Sequence, residues 1–156
     1  CQPIRPTGCL RSLPRYRRSS RAAATSDPAL VISGLDHFVL TVASVEETCA
    51  FYQRLLGFER IDIAGRPTAL AFGGQKINVH EAGREFEPKA GRPTPGSGDF
   101  CLITDRPLDE LCSVLAANGV AVELGPVARI GAKGPMTSVY FRDPDGNLVE
   151  VATYAD

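Results

Sequence analysis

Histidine is scarce in this chain, and long apolar runs are missing from it. Only His37 and His80 occur among 156 residues, so any imidazole chemistry rests on that pair. No apolar stretch approaches the roughly 20 residues that a membrane-crossing helix needs, so the chain is not expected to span a bilayer. C-x-x-C spacing is also missing. Cys1 and Cys9 lie near the start, and Cys49, Cys101 and Cys112 remain in the body. That odd, scattered set excludes a disulfide framework and a zinc knuckle, and predicts small buried hydrophobes in a reducing compartment. Acid is nearly absent from residues 1–28, which hold six Arg, no Lys and a single acid, Asp27. The remainder then carries 11 basic groups against 17 acidic ones, a balance that argues against nucleic acid as a partner.

The leading stretch, read as a basic segment over residues 1–31, is rich in Arg, Ser and Ala. Its composition suits an organelle transit peptide, and it lacks the apolar centre of a secretory signal. A disordered basic tail and sequence upstream of the true start are the competing readings. The expected location is therefore intracellular: mitochondrion or plastid if the segment is a transit peptide, cytoplasm otherwise. Residues 32–154 have the ordinary apolar and charged content of one globular domain.

Two copies of one unit fill that domain. LDHFVLTV (35–42) alternates as a strand, and SVEETCAFYQRLLG (44–57) reads as a helix, with Ser44 and Glu47 in a capping box and Gly57 as a left-handed cap. Three strands follow, over 58–64, 68–73 and 76–82. The order then recurs. GDFCLITD (98–105) is a strand, Asp105 is placed to cap a helix ending at Gly119, and 120–129, 136–143 and 147–153 are three more strands. The modules span about 34–83 and 97–154, joined by the Pro- and Gly-rich AGREFEPKAGRPTPGSG.

Duplication makes a geometric prediction. His37 and Asp99 hold matching places in the first strands, and His80 and Glu150 are paired in the last strands by their spacing. Alternation puts His37, Val39 and Thr41 on one face, with Phe38, Leu40 and Val42 toward the helix. A pseudo-twofold axis would then gather His37, His80, Asp99 and Glu150 around one point. Two imidazoles and two carboxylates suit one divalent ion such as Zn, Ni, Fe, Mn or Co. Against this, a lone strand histidine is more often a hydrogen-bonded structural residue, and Asp99 is equally suited to a supporting role.

The segments GLDHFVLTVASVEETCAFYQRLLGF, KINVHEAG and FRDPDGNLVEV together resemble the vicinal oxygen chelate superfamily, which includes glyoxalase I, fosfomycin-resistance proteins and extradiol dioxygenases. REFEPKA and GPVARIGAKGPMTSVYFRDPD are similar to the glyoxalase-domain-containing protein 5 group. The resemblance implies an α+β fold of two tandem βαβββ modules forming a cupped eight-stranded mixed sheet, often in a homodimer. It implies a small-molecule substrate whose vicinal oxygens a divalent metal chelates, with His37, His80, Asp99 and Glu150 at the ligand positions. His80 and Asp99 depart from the glyoxalase I pattern at positions two and three, and Asp99 from the dioxygenase pattern.

By analogy with glyoxalases, Glu150 is the expected proton carrier in a lyase or isomerase that works through an enediolate. Asn78 is placed to bond a ligand. Arg60, Arg92, Arg129 and Lys133 are candidate cations for substrate carboxylates, and the glycines of IGAKGPM form a flap or a plain loop. A ring-cleaving dioxygenase and a non-catalytic small-molecule binding protein are the alternatives.

Overall fold

The computed structural model describes residues 31–154, so the basic leader falls outside them apart from its last residue. The described elements are β1 (His37–Val42), α1 (Val45–Leu56), β2 (Glu59–Ile61), β3 (Thr68–Phe72), β4 (Gln75–Glu81), β5 (Asp99–Ile103), α2 (Leu108–Ala117), β6 (Val122–Gly131), β7 (Gly134–Arg142) and β8 (Leu148–Tyr154). These are two tandem βαβββ modules. The strands form two four-stranded sheets, ordered β1-β4-β3-β2 and β5-β8-β7-β6. Each sheet is mixed: β1 runs parallel to β4 and β5 to β8, and the other pairings are antiparallel. One face of each sheet is covered by a helix. Both β1 and β5 lie at sheet edges, with one side of each backbone unpaired within its sheet.

Local chemistry explains where α1 starts and stops. Ser44 Oγ accepts the Glu47 N–H at 3.2 Å, and Gly57 takes φ 67° to close the helix. The second helix starts differently from expectation. Asp105 does not cap it: α2 starts at Leu108 behind Pro107, whose extended backbone holds the N-cap place without a side-chain bond. Alternation then sorts the strands. Val42, Leu70 and Ile77 of the first sheet and Val139, Phe141 and Val149 of the second are wholly buried. They join Cys49, Tyr52 and Leu115 of the helices in one core spanning both modules. Each such side chain contributes about 1.5–3 kcal/mol.

Asp143-Pro144-Asp145-Gly146 is more than a turn. Asp145 Oδ1 accepts the Ala43 N–H at 2.8 Å, just ahead of α1 in the other module, and the Thr48 hydroxyl donates to Oδ2 at 3.4 Å. Tyr52 Oη donates to buried Asp143 at 2.9 Å, and Asn147 Nδ2 donates to the same oxygen at 2.8 Å. Asp143 Oδ1 accepts the N–H groups of Asp145 and Asn147. This cluster of hydrogen bonds locks the C-terminal module to α1.

The segment IGAKGPM is neither a flap nor an irregular loop. It is the tip of the long β6–β7 hairpin, paired down to Gly131–Gly134. Register shifts on both sides of Leu124 absorb the extra length of this half. A side chain at Gly131 would collide with Tyr154 and Met136, so the tip is packed against β8.

Candidate functional site

Each sheet has an open face opposite its helix. On the first, His37, Val39 and Thr41 of β1 pair with Lys76, Asn78 and His80 of β4, and directly paired residues share a face. On the second, the row Cys101–Glu150–Tyr140 crosses β5, β8 and β7. Asp99 pairs with Leu148 one row before it, and Ser138 pairs with Ala152 one row beyond.

His37 begins β1 and is exposed. Its Nδ1 lies 2.6 Å from Asp36 Oδ1. A carboxylate partner favours the proton on Nδ1 and leaves the Nε2 lone pair free, the arrangement of a metal-ligating imidazole. His80 is placed quite differently. It pairs with Thr41, four residues along β1 from His37, a separation of roughly 13 Å along the strand. It is only 4% exposed, its ring lies 5.7 Å from that of Phe86, and its Nδ1 is buried without a partner. Burial lowers its pKa, the nearby Glu85 charge opposing that shift and Lys89 adding to it. Glu85 is itself held down to about 2 by the Gly83 N–H, its own N–H and Lys89.

Strand register corrects the pairing drawn from sequence spacing. His37 and Asp99 each begin their strand and so hold matching places, as expected. One row on, β1 pairs Val39 with Asn78, and β5 pairs Cys101 with Glu150. Asn78 therefore holds the place that matches Glu150, and His80 falls one row beyond, matching Ala152. Sequence offsets missed this because the modules differ in length between their second and fourth strands.

Glu150 is half-buried in β8, and its Oε1 is buried with no hydrogen-bond partner. A carboxylate oxygen in that state is costly unless it meets a proton or a cation, so this face suits a positive group. Ser138 Oγ, wholly buried, is also unpartnered. Arg129 Nε donates to Tyr140 Oη at 3.0 Å, and its guanidinium lies 5.4 Å from the centre of that ring, so a cation stands beside the Glu150 row. Nothing in the sequence singled out Tyr140; its place opposite Glu150 emerges only from the β7–β8 register.

The other cations divide. Arg60 pairs with Leu70, whose side chain is in the core, so it lies on the helix-covered face. There its guanidinium is engaged by Glu46 through both terminal nitrogens and by Asp62 through Nε, away from the open face. Lys133 sits at the hairpin tip with Nζ 5.8 Å from the Tyr154 ring centre. Arg92 is exposed in the linker.

Cys49 is buried, as expected, but Cys112 is half-buried and Cys101 is exposed on the open face beside Glu150. A cleft of about 1030 Å³ opens between β1 and β5, walled by Phe38, Leu40, Phe58, Phe72, Phe100 and Leu102. It reaches His37 and Asp99 but neither Glu150 nor His80. Among the described residues, no three His, Cys, Asp or Glu side chains of one chain converge as a metal site. The expected meeting of His37, His80, Asp99 and Glu150 at one point within a chain does not occur.

Family comparison places this arrangement. The Glyoxalase/Bleomycin resistance protein/Dioxygenase superfamily model matches residues 34–151. The chain belongs to that superfamily. Virulence protein STM3117 of Salmonella typhimurium is 47% identical over 125 residues, covering 80% of this chain and 87% of that protein. Its crystal structure matches with a TM-score of 0.78, over 81% of this chain and 100% of the other. Glyoxalase domain-containing protein RDO1 of Mycosarcoma maydis is 44% identical over 81% of this chain and 72% of its own. A lactoylglutathione lyase from Agrobacterium tumefaciens shares 25% identity and a TM-score of 0.61, over 79% of this chain and 95% of that one. This is a family of small-molecule-binding proteins and metal-dependent enzymes.

Proposed function

We propose that this protein is a glyoxalase-like lyase or isomerase that uses a divalent metal and acts on a small substrate bearing two adjacent oxygens. It works as a homodimer in which His37 of one chain shares an ion with Glu150 of the partner subunit. One observation carries the reading. A carboxylate-backed imidazole and a carboxylate with a bare buried oxygen sit on the open faces of separate sheets, and the first strand of each sheet is an unpaired edge. Val39 (46% exposed) and Ile103 (52%) are apolar residues on those same faces, ready to be covered by a second copy.

Imidazole nitrogen and carboxylate oxygen suit a divalent transition metal, and Asp99 is the further oxygen donor on the Glu150 face. When bound, such an ion would acidify a C–H next to two chelated oxygens. This chain's own residues supply the rest. Glu150 takes and returns the proton, and Asp36 orients His37. Asn78 and His80 line the first module's face and hydrogen-bond the substrate, a reassignment of His80 from the metal to the wall of the cup. Arg129, held by Tyr140, and Lys133 attract an anionic substrate group. The linker and hairpin segments further favour the glyoxalase-domain-containing protein 5 group within the superfamily.

Elemental analysis of the purified full chain tests the reading. About one divalent ion per chain is expected, lost in His37→Ala. A folded, metal-free protein that ignores added metal and chelator would contradict it and favour a binding role.

A further inference from the structure

Cys101 is placed as a small buried hydrophobe would not be. Its strand neighbours Phe100 and Leu102 pack against the core, so Cys101 faces the other way, onto the open face. There it pairs directly with Glu150. Its Sγ makes only a long contact within its own strand, donating to the Leu102 carbonyl oxygen at 3.8 Å. Two further groups on this face have unmet bonding capacity. Glu150 Oε1 is buried without a partner, and Ser138, wholly buried one row on, has an unpartnered Oγ. Asp99, the donor expected from sequence, lies one row back, paired with Leu148, and its charge acts on Arg142. On β5 the side chain that shares a row with Glu150 is therefore the Cys101 thiol, with Tyr140, already bonded to Arg129, on the other side.

We infer that Cys101 is a metal donor of this site, its Sγ binding the same ion as Glu150 and completing the set that His37 of the partner subunit begins. This deepens the function proposed above and rests on it. On binding, the S–H bond breaks, an S–metal bond forms and the proton passes to solvent, with no change of oxidation state. A thiolate beside an imidazole and a carboxylate selects the thiophilic end of the divalent series, zinc, cobalt and nickel, over manganese or magnesium. None of the four positions drawn from the superfamily resemblance supplies sulfur.

Cobalt(II) titration of the metal-stripped full chain reads the ligand directly. Wild type is expected to show both visible ligand-field bands and a near-ultraviolet sulfur-to-cobalt charge-transfer band. Cys101→Ser is expected to keep the visible bands and lose the near-ultraviolet one, while Cys112→Ser keeps both. Visible bands without charge transfer in wild type would overturn the sulfur ligand and leave the metal site standing on nitrogen and oxygen. A charge-transfer band that survives in Cys101→Ser would assign the sulfur elsewhere and overturn it too. Failure of wild type to bind cobalt at all would remove this inference together with the metal-dependent function.

Discussion

Glu150→Gln is expected to lower turnover by about 10²- to 10⁴-fold, the usual worth of a positioned general base, while much of the metal stays bound. Glutamine preserves the shape of the side chain and one oxygen donor, but it cannot take a proton. The environment makes this a clean substitution. Glu150 sits mid-strand between buried Val149 and Val151, so the backbone and the core face are unaffected. Rates measured on substrates with two adjacent oxygens and an acidic C–H, alongside metal content, separate the two roles proposed for the carboxylate. Normal turnover in the variant would remove Glu150 as the base. Lost metal with lost turnover would make it a ligand only.

Asp143→Ala is expected to cost about 3 kcal/mol or more of folding stability. The carboxylate is 5% exposed and accepts from Tyr52 Oη, Asn147 Nδ2 and two backbone N–H groups. Alanine would leave several of these donors buried and unmet, each at about 1–3 kcal/mol before water or rearrangement offsets part of the loss. Tyr52→Phe removes one donor along with its need for a partner, and should cost only about 1 kcal/mol. Urea unfolding of the two variants checks the order. If Asp143→Ala unfolds at the wild-type midpoint, the turn is not what locks the modules together.

Much of the fold was legible because its signals are local. Alternation in LDHFVLTV reports one apolar face regardless of what covers it, and Ser44 and Gly57 bracket α1 through bonds within a few residues of themselves. The features that escaped depend on partners far along the chain. Asp143 and Asp145 read as turn residues, yet their acceptor oxygens are used 91 to 102 residues away. Cys101 read as core because small thiols are commonly buried; only the β5–β8 register turns it toward Glu150. Counting along the chain pairs His80 with Glu150. Register, which depends on how each hairpin closes, moved that match to Asn78.

Of the proposed site, the sequence supplied the residue types but not their arrangement. Residue types pointed to a cation, a reading that the unpartnered Oε1 of Glu150 supports. Sequence could not say that one chain would hold the proposed donors on faces of two separate sheets. That division is the central claim, and mixing two defective variants tests it most directly. His37→Ala and Glu150→Ala are each expected to purify without bound ion. After the two are unfolded and refolded together at equal amounts, half the dimers carry one of each, and every mixed dimer regains one intact site. Metal content should return to about a quarter of the wild-type value per chain. A mixture as empty as its two components would contradict a centre shared between chains.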